Sequence, residues 1–108
     1  MDLSLQAYRL TSSFPKAEMF GLTSQIRRAA ASIPANIAEG WGREGTKEFI
    51  QYLRQAQGSL SELETHLLLA ERLDFVPSGA TILRDIESIS KMLRSLIRSL
   101  QNRMPLQK

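Results

Sequence analysis

Apolar residues recur at alternating steps of three and four along most of this chain, the spacing that lays side chains along one face of an α-helix. The pattern falls into four segments, which are separated by proline, glycine or short polar runs. We therefore predict four helices and no strand. Helices of this kind with short connections favour an antiparallel up-and-down four-helix bundle, an all-α fold that forms one domain over residues 1–108.

The second predicted helix lies in the stretch Gly21–Arg43 and carries the most informative residues. Its apolar stripe consists of Leu22, Ile26, Ala29 and Ile33. Thr23 is the expected N-cap, because a threonine hydroxyl accepts a hydrogen bond from the free N–H groups of a first turn. Gly40 and Gly42 are expected to end the helix.

Proline is expected to interrupt this helix. Pro34 has no N–H to donate to the carbonyl of Ala30 and its ring crowds that turn, so we predict a kinked second helix at a cost of roughly 3 kcal/mol. Polar residues follow, and a buried polar group without a partner costs about 1 to 3 kcal/mol. We therefore expect a structural polar network that includes Gln25, Asn36, Glu39 and Arg43.

The other three helices flank this segment. Their predicted ranges are about Asp2 to Ser13, the N-cap Thr46 to near Leu73, and Ser78 or a neighbour to Pro105. Their core stripes are Leu3, Ala7, Leu10 and Phe14 in the first helix; Phe49, Leu53, Ala56, Leu60, Leu63, Leu67 and Ala70 in the third; and Ile82, Ile86, Ile89, Leu93, Leu96 and Leu100 in the fourth. The regular alternation predicts helices that pack lengthwise against near-parallel neighbours.

Some apolar residues lie outside these stripes. They are Leu68, Leu69, Leu83 and Ile97, and they predict either a wide core face or a second buried face that another subunit covers. We favour an oligomer interface. Gly58, in the middle of the third helix and away from its stripe, predicts close approach by another helix, with a surface glycine as the alternative.

Two runs of sequence resemble a known family. FPKAEMFGLTSQIRRAAASIPANIAEGWGR, followed by KEFIQYLRQAQGSLSELETHLLLAERL, resembles the signature of the 23S rRNA intervening-sequence proteins, also called the S23 four-helix-bundle family. The related accessory variability determinant proteins of diversity-generating retroelements share the architecture. The resemblance covers most of the chain and implies a left-handed bundle that assembles as a homopentamer, with no established enzymatic activity. Members usually have more residues before the segment equivalent to Met1 to Leu10, so we expect a short first helix.

The composition argues against cysteine-based sites and against a membrane location. The chain has no cysteine, which excludes disulfides and thiolate metal sites. No apolar run approaches the roughly 20 residues of a membrane span, and the N-terminus has no apolar signal-peptide core, so we expect a cytoplasmic protein with no membrane partner.

Motifs for catalysis or cofactor binding are absent. Glu62 lies four residues before His66, the only histidine, rather than the three of a di-iron motif. Four-helix nucleotide-binding RNases need an arginine four to six residues before the histidine, and the nearest one upstream is Arg54. The glycines after the second helix lack phosphate-loop spacing, and Asn36 with Glu39 offers too few oxygen ligands for a metal. We expect no enzyme activity and no cofactor.

Basic residues are the remaining candidate for function. The formal net charge is +3, and residues 88–108 hold five basic residues and no acidic one. Candidate nucleic-acid contacts are Arg84, Lys91, Arg94 and Arg98 on the fourth helix and Arg27 and Arg28 on the second. Structured RNA or a ribonucleoprotein is the favoured partner. We expect no aromatic stacking platform beside these basic residues. The alternatives are a protein-interaction scaffold whose basic face meets an acidic protein, or an ordinary solvated helix face.

Overall fold

The computed structural model describes residues 2–77 and 80–104 and contains four α-helices in these ranges. They are α1 (Asp2–Thr11), α2 (Leu22–Trp41), α3 (Thr46–Arg72) and α4 (Thr81–Arg103), with a short 3-10 helix, Lys16–Glu18, between α1 and α2. The described residues include no strand, which confirms the all-α four-helix bundle. The predicted start at Ser78 and end at Pro105 of the fourth helix lie outside the described residues.

The core is built around α3, whose apolar stripe is buried from Leu53 to Ala70. α2 and α4 both pack against α3, and α1 packs against α2 and α4. At the start of α3, Ile50 is buried while the predicted core residue Phe49 is half-buried. The buried residues of all four helices belong to one cluster, so each amphipathic face is covered by the other helices.

One position near the end of α4 differs from the predicted core stripe. Ile82, Ile86 and Leu93 are buried as predicted, but Leu96 is 39% exposed and Ile97 is only 5% exposed. Neighbouring residues lie about 100° apart around a helix, so Leu96 and Ile97 lie on either side of the stripe that runs through Leu93, and the packing of α4 covers Ile97 rather than Leu96. The prediction of Ile97 as an oligomer-interface residue is therefore wrong, because the chain buries it in its own core.

The predicted caps of α2 and α3 are also wrong. α2 begins earlier, with Gly21 as its N-cap, and Thr23 is a buried residue of the first turn. Glu18 takes part in this start, because its Oε1 accepts a hydrogen bond from the Leu22 N–H at 3.4 Å. α3 has Gly45 as its N-cap and Thr46 as its first residue, without a side-chain cap bond.

Pro34 does not break α2, which is assigned as one helix from Leu22 to Trp41. The missing proline N–H leaves the buried carbonyl of Ala30 without its usual partner in the helix. Ser4 on α1 donates its hydroxyl to this carbonyl at 3.2 Å. A contact between two helices thus satisfies the acceptor that the proline leaves open.

Gly40 in α2 and Gly58 in α3 have different surroundings. A Cβ added to Gly40 would lie 2.6 Å from Tyr52 Cβ and 3.0 Å from Phe49 Cδ1, so α2 and α3 approach closely there. Gly40 lies inside α2, and Gly42 is its C-cap. A Cβ added to Gly58 would meet nothing within 4 Å, so close approach to another helix of the same chain is not its role.

Candidate functional site

The four basic residues of α4 lie on one exposed side of the helix. Arg84, Lys91, Arg94 and Arg98 are exposed, and this side is opposite the buried Ile82, Ile86 and Leu93. From Arg84 to Arg98 the helix rises about 21 Å, at 1.5 Å per residue. We call these four residues the basic face of α4.

Acidic neighbours reduce the charge of the middle of this face. Lys91 Nζ lies 3.5 Å from Glu87 Oε1, and both side chains are largely exposed to solvent. Arg94 lines a small groove of about 90 Å³ between α3 and α4 together with Glu64 and Glu87. Within the described ranges Arg84 and Arg98 form no ion pair, so they are the members most available to an anion.

Arg27 and Arg28 lie on α2, and the structure holds Arg27 more firmly. Arg27 Nε donates to Thr11 Oγ1 at 2.8 Å, and its Cζ lies 4.4 Å from the centre of the Tyr8 ring. Thr11 is buried and donates its own hydroxyl to the carbonyl of Ala7 at 2.7 Å. Arg28 is exposed and donates to Gln25 Oε1 at 3.0 Å.

Aromatic and apolar side chains surround these two arginines, contrary to the expectation that no aromatic platform accompanies the basic residues. They line one open groove of about 360 Å³, which we call the α1–α2 groove; its residues are Tyr8, Met19, Phe20, Thr23, Ser24, Arg27, Arg28 and Ala31. The Phe20 side chain is 97% exposed. Sequence reasoning missed this arrangement because Tyr8, Phe20 and Arg27 lie on three different segments. The spacing of apolar residues predicts which residues are in the core, but it does not predict which exposed residues meet on the surface.

The predicted polar residues of α2 form separate contacts rather than one network. Gln25 contacts Arg28, whereas Asn36 donates from Nδ2 to the carbonyl of Ser32 at 2.9 Å. Gln25 and Asn36 are separated by about 16 Å along the helix axis, at 1.5 Å per residue, which is too far for a shared contact. Among the described residues, each of these two side chains therefore forms a hydrogen bond only with a group three or four residues away on α2.

Glu39 and Arg43 do meet. Arg43 Nη2 donates to Glu39 Oε2 at 3.0 Å and to the Tyr52 hydroxyl at 2.9 Å. Tyr52, and then Glu39, raise the pKa of Arg43 above its ordinary value by favouring the charged guanidinium. Both charged side chains are about half exposed, so this pair contributes little to stability. Tyr52, on α3, is a partner that the sequence pattern did not indicate.

The predicted interface residues differ in exposure. Leu68 and Leu69 are 45% and 49% exposed, on the side of α3 away from the core. Leu83 is half-buried and packs against the core. Of this group, only Leu68 and Leu69 present a large part of their apolar surface to solvent.

The described residues show neither a metal cluster nor a membrane span. No three histidine, aspartate or glutamate side chains in this part of the chain lie close enough together to hold a metal ion. His66 is half-buried on α3. No helix in the described ranges combines the length and the apolar character that crossing a bilayer requires.

The fold and these surfaces define a small all-α four-helix bundle with a basic helix face and an arginine-lined groove. The chain belongs to the family described as 23S rRNA-intervening sequence protein, whose model matches residues 1–95. This match confirms the resemblance of the sequence to the 23S rRNA intervening-sequence proteins.

A solved structure supports the same assignment. The chain is similar to a protein with unknown function from the S23 ribosomal protein family of Bacteroides thetaiotaomicron VPI-5482. Sequence identity is 30%, the TM-score is 0.76, and the match covers 90% of this chain and 96% of the other. No curated protein matches the chain.

Proposed function

We propose that this protein is a non-enzymatic, oligomeric accessory protein that binds structured RNA or a ribonucleoprotein through the basic face of α4. The observation that carries the proposal is the exposure of Arg84, Lys91, Arg94 and Arg98 on one side of a helix whose other side is buried. Membership of a family named after an insertion in ribosomal RNA is consistent with an RNA partner.

The chemistry of this face favours phosphate rather than base recognition. Lysine and arginine side chains bind phosphates and release condensed counterions, and such contacts carry no sequence information by themselves. Because Glu87 and Glu64 lie beside Lys91 and Arg94, we expect Arg84 and Arg98 to make the stronger contacts. Binding is then largely indifferent to base sequence and weak for a single subunit.

Assembly supplies the affinity that one subunit lacks. Several copies of the basic face in one particle engage one RNA with a higher effective concentration than separate chains do. The exposed pair Leu68 and Leu69 is the apolar surface that we assign to contact between subunits. The homopentamer implied by the family resemblance is the assembly that we propose.

A charge-reversal experiment tests the RNA-binding role. We expect the double variant Arg84→Glu and Arg98→Glu to bind a labelled structured RNA about tenfold or more weakly near 50 mM salt, because each reversal removes a phosphate contact and adds repulsion. Fluorescence anisotropy measures the affinity.

The matched control is the double variant Arg54→Glu and Arg72→Glu, which reverses the charge of two arginines that are exposed on α3. It changes the net charge by the same amount but leaves the basic face of α4 intact, so its affinity should stay close to that of the wild type. Equal losses in both variants would show that only net charge matters. Absence of wild-type binding would favour the scaffold that meets an acidic protein.

A further inference from the structure

The α1–α2 groove carries the most exposed aromatic side chain of the described residues. Phe20 is 97% exposed, and Met19 next to it is also exposed. Tyr8, which is exposed on α1, also lines the groove. A large aromatic side chain that its own chain leaves uncovered is a candidate for contact with a partner.

Hydrogen bonds hold the turn that presents Phe20. The N–H of Glu18 donates to the carbonyl of Pro15 at 2.9 Å, and the N–H of Gly21 donates to the carbonyl of Glu18 at 3.0 Å. The Met19 N–H donates to the carbonyl of Lys16 at 3.0 Å. These bonds fix the backbone on both sides of Phe20 and so keep its side chain at the groove, where a ligand meets it without rearrangement of the turn.

The charge of the groove selects an anionic occupant. Its lining holds Arg27 and Arg28 and no carboxylate. The nearby carboxylate of Glu18 instead accepts a hydrogen bond from the Leu22 N–H. Arg27 uses Nε for Thr11 and stacks on Tyr8, which leaves its two terminal nitrogens as donors at a fixed place. A planar, fixed guanidinium of this kind suits a phosphate.

Aromatic rings beside arginines suit one ligand chemistry in particular. An unpaired nucleotide offers a planar base that stacks on an aromatic side chain and a phosphate that binds an arginine. Paired bases inside a duplex expose no face for stacking. The groove thus fits a single-stranded segment better than a helical one.

We propose that the α1–α2 groove binds an unpaired nucleotide of RNA, with Phe20 as the stacking platform and Arg27 and Arg28 on the flanking phosphate. The proposal rests on the RNA-binding function proposed above and adds a preference for RNA with an unpaired loop or bulge. The basic face of α4 supplies affinity for any phosphate backbone, and the groove supplies the preference for unpaired bases.

Two labelled RNAs of equal length test this inference, one a perfect duplex and the other a duplex with an unpaired internal loop. We expect the wild type to bind the looped RNA more tightly. Phe20→Ala should weaken binding of the looped RNA about fivefold or more, because it removes a base-stacking contact, and should leave the duplex affinity unchanged. Phe20→Tyr should restore the preference. Met92→Ala, which truncates an exposed apolar residue on α4, is the matched control and should change neither affinity.

Each alternative outcome has a distinct signature. If the wild type binds neither RNA, the RNA-binding function fails and this inference fails with it. If the wild type binds both RNAs equally and Phe20→Ala has no effect, this inference alone fails. If Phe20→Ala lowers the particle mass measured by light scattering, a second copy of the chain covers the groove and the inference is overturned.

Discussion

At the scale of single residues, the carbonyl of Ala30 shows how a helix tolerates an internal proline. Pro34 removes the N–H that would bond this carbonyl, and Ser4 on α1 donates a hydroxyl in its place. The buried acceptor is thus satisfied from another helix. The sequence indicated the missing bond at Pro34, but it did not indicate Ser4, because hydrogen bonds between helices depend on a register that periodicity does not specify.

The first prediction follows from this contact. Ser4→Ala should lower the free energy of unfolding by about 1 to 2 kcal/mol, because it leaves a buried carbonyl without a donor. In a Pro34→Ala background the new backbone N–H can bond the Ala30 carbonyl, so the same serine change should cost much less. Urea unfolding of the four variants at one protein concentration measures the coupling. If Ser4→Ala lowers the free energy of unfolding equally in both backgrounds, the Ser4 hydroxyl does not replace the backbone N–H that is missing at Pro34.

At the scale of elements, the closest approach of α2 to α3 occurs at Gly40, where an added Cβ would lie 2.6 Å from Tyr52 Cβ. Glycine is required there because the facing atoms belong to the base of a side chain, which cannot move away without the helix. Gly58 on α3 faces open space in this chain. The two glycines therefore form a matched pair, one needed for packing and one not.

Substitution by alanine should separate the two positions. Gly40→Ala should lower the free energy of unfolding by about 1 to 3 kcal/mol through overpacking. Gly58→Ala should raise it by up to about 1 kcal/mol, because alanine favours the helix. Chemical denaturation measures both values. A loss of stability in Gly58→Ala would instead indicate that another subunit approaches α3 at this glycine.

The elements also show how far periodicity predicts the fold. The stripes of α2 and α3 identified most of the core, since spacing alone decides which residues share a helix face. Helix starts were less predictable: Gly21 and Gly45 are the N-caps of α2 and α3, although the nearby Thr23 and Thr46 have better capping side chains. The burial of Ile97 rather than Leu96 in α4 depends on how this helix is rotated against its neighbours, because both residues flank the core stripe and spacing alone does not choose between them.

In the molecule as a whole, the two proposed RNA-binding surfaces differ in how far the sequence predicts them. The basic face of α4 follows a repeat of seven residues and is visible in the sequence. The α1–α2 groove is not, because it brings together Tyr8, Phe20 and Arg27 from segments that only the fold places side by side.

The proposed oligomeric state can be tested by the mass of the particle in solution. Light scattering coupled to size exclusion should give a particle of five times the 12.2 kDa chain mass. Leu68→Glu or Leu69→Glu should lower that mass while circular dichroism still shows a helical protein, since both side chains lie largely outside the core. Leu5→Glu, on the exposed side of α1, is the matched control and should leave the mass unchanged. A wild-type mass of one chain at micromolar concentration would contradict the proposed assembly.

We propose that exposed arginine and lysine side chains bind RNA phosphates, and the salt dependence of wild-type binding tests this proposal. If a pentamer makes about 5 to 10 phosphate contacts, a plot of log affinity against log salt concentration should have a slope of about −3.5 to −7, at roughly −0.7 per single-strand contact. The measurement is a titration of one labelled structured RNA at several salt concentrations. We expect tight binding at low salt and a slope in this range. A slope near zero, or no binding near 50 mM salt, would contradict the claim.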